Sequence, residues 1–297
     1  MKVSVITPFY EGDKYMDAYV DCMLKNAEAL RGAGHELEVI LVNDSPWKTL
    51  ATPGGDNSAN PIRVITNEKN SGIHFSRVQG LLAATGDYVM FLDQDDLLAE
   101  DALLLLLKEA YKNDAEVTVA NALLEQSDGQ CLTWYRNDYH KSLVGDIETY
   151  LTVGIQIISP GQCLIKKSAV PAFWCVNILG KNGADDYFLW LLLLAEGARF
   201  GYLDKALYTH KYTGDNISAD TTVTDDSCYE FMEILSGYDD FPEEYVFDLH
   251  EMITYKNQFR ASSTFGKITC SLAYLPIFIK NLMFKRKTGT AYGFNRG

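Results

Sequence analysis

Between Asp93 and Asp96 the chain reads Asp-Gln-Asp-Asp, three carboxylates in four residues directly after the apolar run Tyr88–Leu92. A strand that ends in such a cluster crowds negative charge, which a cation or a donor-rich ligand must offset. Hard carboxylate oxygens suit Mg²⁺ or Mn²⁺, ions that commonly share their coordination with the phosphates of a nucleotide. Ligands of open α/β sheets lodge at the carboxyl ends of the strands, so this position predicts a metal-nucleotide site. The same residues suit a helix start, with Asp95 or Asp96 as N-cap and Glu100 and Asp101 in the first turn. A cap needs only one carboxylate, so the two roles are compatible.

A second acidic pair, Asp185-Asp186, stands ahead of the apolar helical run Tyr187–Ala195. As structure, the pair predicts an N-terminal cap and first-turn acid. As chemistry, an aspartate fixed at a helix start can take the proton of an attacking hydroxyl. Further on, His210 and Lys211 lie in the segment Leu207–Ser218, which also carries Asn216. The imidazole suits Mn²⁺ or phosphate, and a histidine near a strand end also serves as an ordinary hydrogen-bonded side chain.

These groups need a frame. Val3–Thr7 reads as a short strand stopped by Pro8, followed by a helical pattern from about Asp13 to Leu30. The strand Leu37–Val42 ends in Asn43-Asp44-Ser45, and Ile62–Thr66 ends in the loop Asn67–Gly72. A helix with apolar Phe75, Val78, Leu81 and Leu82 leads into the strand before Asp93. Strands alternating with helices predict βαβ units in an α/β, doubly wound sheet. Thr52–Asn60 reads as a surface loop.

SVITPFYEG, VNDSP, NSGIHFSRVQGLLAATGDYVMFLDQDD and GADDYFLWLLLLAEG occur in this order, and together they resemble the motifs of family-2 glycosyltransferases. The resemblance spans about residues 1–220. It implies a GT-A fold, a Rossmann-like, mostly parallel sheet flanked by helices, with a helical appendix at the C-terminus. Residues 1–110 would form the nucleotide-binding half, 111–220 the acceptor half and 221–297 the helical region. It further implies a metal-dependent inverting transfer from a nucleotide-diphosphate sugar, most simply a UDP-sugar, to a glycan or lipid-linked acceptor in cell-surface polysaccharide synthesis. The enzyme would be a hexosyl- or N-acetylhexosaminyltransferase. By the same resemblance Pro8, Tyr10, Glu11, Asp44 and Asn70 line the nucleotide, Arg77 lies by the diphosphate or uracil, and Asp93 and Gln94 face ribose and metal. Asp95 is then the direct ligand of Mn²⁺ or Mg²⁺, with Asp93 and His210 as further ligands. Asp186 becomes the general base and Asp185 its support or an acceptor contact. Two departures stand out: Val78 where the family often has Asn, and Asp185 where it often has Glu.

Two other classes remain open. A sugar nucleotidyltransferase shares related architecture but usually shows a glycine-rich basic loop, which is missing between Val3 and Glu11. A non-catalytic nucleotide-sugar-binding protein would not need Asp95, Asp186 and His210 together.

The 297 residues carry a net charge of −14. No acidic residue follows Glu251, and eight basic ones do, so the first 251 residues hold −22 and the tail +8. Such an acidic body argues against nucleic acid as partner. Within the tail, apolar Leu272–Ile279 and Asn281–Phe284 abut Lys285-Arg286-Lys287. The stretch is too short and interrupted to span a bilayer, and it fits a contact with the cytoplasmic membrane face. Packing on the protein, with the basic groups paired to its acidic surface, is the other reading. Six scattered cysteines without a CxxC pair, and too few apolar residues before Pro8 for a secretory signal, predict reduced thiols in the cytoplasm.

Overall fold

A computed structural model describes residues 1–54, 60–125, 129–211 and 221–290. Residues 55–59 of the predicted loop, Asn216 and Ser218 of the segment after His210, and Arg296 lie outside the described residues.

In chain order the first elements are β1 (Lys2–Phe9), α1 (Met16–Gly32), β2 (Glu36–Asn43), β3 (Ile62–Thr66), α2 (Ile73–Ala83) and β4 (Tyr88–Phe91). They are followed by β5 (Leu97–Leu98), α3 (Ala102–Asn113), β6 (Val117–Glu125), β7 (Cys131–Thr133), α4 (Asp138–Ser142) and α5 (Ile147–Thr152). The rest are β8 (Cys163–Lys166), α6 (Ala172–Val176), α7 (Asp185–Ala195), β9 (Phe200–Lys211), α8 (Thr221–Ser236), α9 (Glu243–Ala261), α10 (Thr264–Ala273) and α11 (Leu275–Thr288). The chain forms two compact units. One holds Met1–Trp134, Ile157–Gly180 and Ala198–Asp215, and the other Tyr135–Gln156, Lys181–Gly197 and Asn216–Gly297. Residues 135–156 and 181–197 therefore group with the C-terminal helices.

The first unit is built on one sheet of the described strands, ordered β3-β2-β1-β4-β8-β6-β9-β5 with β7 paired to β6. The block β3-β2-β1-β4 is parallel throughout, and Val39–Val42 of β2 and Tyr88–Phe91 of β4 are continuous buried apolar runs, as suits strands covered on both faces, while β1 also buries Ser4 and Thr7. Phe9 pairs with Asn43 and Asn43 with Thr66, so these carboxyl ends are level. Helix α2 lies tight on β1: a Cβ on Gly80 would come within 2.2 Å of Ile6 Cγ2. That helix turns His74, Arg77, Val78 and Leu81 inward, while Leu82 is 71% exposed. Leu82 is thus no core residue, because the helix buries its polar His74 and Arg77 for reasons that periodicity does not register.

Asp95 and Asp96 do not cap α3. A turn and the short strand β5 intervene, the helix starts after Asp101, and no side-chain cap hydrogen bond is made.

The second unit is helical. Its centre is α7, whose residues Tyr187–Leu194 are all buried. Phe188 stacks on Phe231 of α8 with rings 5.9 Å apart, and the Tyr187 hydroxyl donates to the Tyr150 carbonyl. Helix α11 packs through Phe284 with Leu143 and Val153, while Asn281 Nδ2 donates to the Thr152 carbonyl at 3.0 Å. His140 sits edge-on to Tyr135 and Phe284, and burial, with Arg136 nearby, lowers its pKa to about 4. All six cysteines are free.

Candidate active site

The order β3-β2-β1-β4 reverses direction at β1, and ligands of open sheets bind at the carboxyl ends beside such a switch. The two strand ends there are joined by one side chain. Gln94 accepts from the Tyr10 N–H and donates to the Tyr10 carbonyl, both at 3.0 Å. A Cβ on Gly12 would come within 2.2 Å of Gln94 Oε1, so a side chain there would push this amide off its two bonds to Tyr10. Between them Glu11 holds a left-handed backbone (φ 46°), with its N–H on Ser45 Oγ at 3.1 Å. A non-glycine residue in that region costs energy and is found where the surrounding structure over-determines it. Tyr10, 45% exposed, meets Trp47, 58% exposed, edge to face at 6.0 Å. Sequence reasoning passed over Trp47. Its signal was an aromatic residue directly after the Asp44-Ser45-Pro46 turn.

At the end of β2, Asp44 is buried and accepts three hydrogen bonds. Asn67 Nδ2 and Ser71 N–H donate to Oδ1, each at 2.8 Å, and Gly72 N–H donates to Oδ2 at 2.9 Å. A carboxylate has about four lone-pair positions, so Asp44 chiefly shapes the 67–72 loop and retains about one for a ligand. Asn70 is exposed on that loop, and Pro8 is half-buried near the end of β1. Arg77, buried on α2, donates through Nη2 to Asp93 Oδ1 at 2.7 Å.

The carboxylate the sequence undervalued is Asp96, which is 1% exposed. The Tyr208 hydroxyl donates to its Oδ2, while His210 Nδ1 and the Lys211 N–H reach its Oδ1, each at 3.2 Å. Tyr208 and His210 stand two residues apart on β9, hence on one side of the strand. The irregular pairing of β9 with β6, with register shifts around Asn121, marks a bulged stretch of the kind that re-aims side chains near sites. Burial raises the Asp96 pKa, with His210 opposing it. Burial alone would lower that of His210, but the hydrogen bond and charge of Asp96, then Asp93 and Asp95, raise it. Asp95 is pushed up to about 6 by burial and by the charges of Asp96 and Asp93.

Carboxylate oxygens and an imidazole are donors of the kind that a divalent cation takes when phosphate oxygens complete its shell. Among the described residues no group of three or more His, Cys, Asp or Glu is arranged to hold a metal ion. Asp93 is engaged by Arg77, and Asp96 by Tyr208 and His210. At Asp95 burial and the charges of Asp96 and Asp93 outweigh the opposing effects of a backbone hydrogen bond and His210, and a cation would relieve that balance. Mg²⁺-type sites often use only one or two carboxylates plus substrate phosphates.

In the second unit Asp185 and Asp186 occupy the first turn of α7 behind Ala184, the N-cap residue, which makes no side-chain cap. Asp186 is half-buried, and its Oδ1 accepts from Tyr187 N–H at 2.7 Å. Asp185 is buried, 3% exposed.

A family model described as glycosyl transferase family 2 matches residues 4–173. The chain belongs to glycosyl transferase family 2. Among relatives, glycosyltransferase GlyG of Streptococcus pneumoniae is 28% identical over 138 residues, covering 43% of this chain and 41% of GlyG. The putative teichuronic acid biosynthesis glycosyltransferase TuaG of Bacillus subtilis is 25% identical over 229 residues, 73% of this chain and 81% of TuaG. The chain spans 31% of another relative, glycosyltransferase GlyA of S. pneumoniae, and so less than half of both GlyA and GlyG. The structure of S. aureus TarS with UDP superposes with a TM-score of 0.56 and 17% identity, covering 94% of this chain and 80% of that one. That likeness establishes the fold, an α/β GT-A-type sheet flanked by helices with helices at the C-terminus.

The two departures from the family-2 pattern both fall on buried positions. Val78 is buried on the inward side of α2, where an asparagine would need a polar partner. Asp185, replacing the frequent glutamate, is the inward carboxylate of the α7 pair, and Asp186 is the more accessible one.

Proposed function

We propose that the chain transfers a sugar, a hexose or N-acetylhexosamine, from a UDP-sugar to a hydroxyl of a glycan or lipid-linked acceptor, with inversion, in cell-surface polysaccharide synthesis. The observation that carries this reading is the carboxylate group at the end of β4, beside the sheet's switch point, with Asp95 pushed up to about 6. Such a site asks for positive charge and phosphate oxygens together. Mn²⁺ or Mg²⁺ bound there, with Asp95 as its direct ligand and Asp93 and His210 near it, would supply charge stabilisation for the departing diphosphate. Arg77, held by Asp93, adds a fixed cation on the same strand end. Tyr10 and Trp47 offer aromatic surface for a base, and Pro8, Glu11, Asp44, Asn70 and Gln94 shape the loops around it. The TarS complexes with UDP and UDP-GlcNAc suit a uridine donor.

Inversion requires one displacement. The acceptor oxygen forms a bond to the anomeric carbon, the bond from that carbon to the diphosphate breaks, and a base takes the hydroxyl proton. Asp186 is assigned that role. Its carboxylate is oriented by Tyr187 N–H, and the N-terminal turn of α7 favours negative charge. Asp185 supports the turn. The work belongs where nucleotide sugars are available, in the cytoplasm and at the cytoplasmic membrane face.

The test is to incubate the protein with Mn²⁺, a panel of UDP-sugars and a lipid-linked or oligosaccharide acceptor while measuring free UDP and product anomer by NMR. One donor should release UDP and give a β-linked product from an α-linked donor. Consumption of UTP and sugar phosphate with pyrophosphate release would make the protein a nucleotidyltransferase. A retained anomer would remove the single displacement.

A further inference from the structure

Helix α11 is buried on one side and carries an exposed apolar stripe on the other. Its inner side carries Asn281, Phe284 and Thr288, all buried. Leu275, Ile279 and Leu282 recur at i, i+4 and i+7 on the opposite side, and they are 44%, 44% and 54% exposed. Helix α10 repeats the pattern. Cys270 faces inward, while Phe265, Ile268 and Leu272, at i, i+3 and i+7, are 75%, 56% and 66% exposed. Two consecutive helices of one unit thus present apolar outer stripes, which water does not favour without a covering partner.

Charge identifies that partner. Lys285, Arg286 and Lys287 close α11, and residues 252–297 contain no acidic side chain. Lys280 pairs with Glu148, and Lys287 lies over the Tyr139 ring. Lys285 and Arg286 have no carboxylate partner among the described residues. No helix among the described residues is long and apolar enough to cross a membrane. We infer that the outer faces of α10 and α11, with Lys285 and Arg286 beside them, form a docking surface for an anionic lipid bilayer. Apolar side chains enter the acyl boundary while the basic groups meet the headgroups. The first 251 residues carry −22, a balance that does not favour an anionic surface, so the attraction comes from the tail's basic groups. A second copy fits less well. A two-fold contact through this patch would set Lys285 and Arg286 against their own counterparts.

The surface goes beyond the transfer reaction, and its test needs neither donor nor acceptor, so failure here leaves the transferase reading intact. The full chain is floated with vesicles of phosphatidylcholine plus phosphatidylglycerol, and with phosphatidylcholine alone. Wild type should float with the anionic vesicles, and less as salt rises. Ile279→Glu/Leu282→Glu should bind at least tenfold more weakly, because each withdrawn apolar side chain is worth about that factor. Lys285→Gln/Arg286→Gln should lose about 25-fold at low salt, about fivefold per basic residue, and show a flatter salt dependence. All four positions are exposed, so circular dichroism melts should match wild type. Wild type that stays at the bottom of the gradient overturns the inference, as do two variants that float like wild type. A dimer in sedimentation that Ile279→Glu/Leu282→Glu dissociates, without vesicle binding, would assign the face to a second copy.

Discussion

The two acidic groups of this chain are held in opposite ways. At the end of β4, side chains from distant strands and helices hold the carboxylates: Arg77 on Asp93, and Tyr208 and His210 on Asp96. At the start of α7, the pair stands on an apolar helix, and Asp186 is oriented by a backbone N–H of its own turn. The first group is crowded and short of positive charge, with Asp95 pushed up to about 6. The second lies where a helix end already favours an anion. A crowded cluster suits gathering a cation and phosphates, and a single accessible carboxylate on a rigid helix suits accepting a proton.

The comparison breaks most severely at Asp96. Asp96→Ala leaves the Tyr208 hydroxyl, the His210 ring and the Lys211 N–H without their buried acceptor, a loss of about 3–5 kcal/mol in urea unfolding. A cost below about 1 kcal/mol would show that the network does not organise the strand end. Next is Asp186→Asn, near-isosteric but unable to take a proton. Turnover should fall about a hundredfold or more, equivalent to roughly 2.7 kcal/mol, with UDP affinity unchanged. Wild-type turnover in that variant, with loss in Asp185→Asn, would move the base one residue. A smaller effect sharpens the picture of the helical unit through pH. The folded pKa of His140, about 4, lies below its unfolded value near 6.5, so the unfolded state binds the extra proton between them. His140 therefore contributes fully above pH 6.5, and its contribution is lost as pH falls towards 4. His140→Leu should flatten the stability profile in that window, and an unchanged slope would exclude His140 as its source.

Much of the first group was legible in the sequence. The strand ends before Asp44, Asn67 and Asp93 are local patterns, and the parallel block places them together at one edge of the sheet; β1, expected to stop at Pro8, instead runs through it to Phe9, because Pro8 still pairs in register with Val42. The role of Asp96 was not legible locally. Its capping role looked sufficient from neighbouring residues, whereas its partners come from β9, more than a hundred residues later in the chain. Gln94 was expected to face ribose and metal, but its amide also ties β4 to β1, a contact between strands that motif spacing does not encode. At the C-terminus the sequence offered membrane contact or packing as alternatives. The helix packs inward with Phe284 and leaves Ile279 outward for the other role.

The most direct test of the account is the affinity of UDP for wild type and Asp95→Ala, measured by calorimetry with Mn²⁺ and with EDTA. Wild type should bind at least tenfold more tightly with Mn²⁺, and Asp95→Ala should bind equally weakly in both, because the carboxylate at the end of β4 is what makes the cation count. Equal affinity of wild type with Mn²⁺ and with EDTA would contradict the assignment of Asp95 and its neighbours as a metal-nucleotide site.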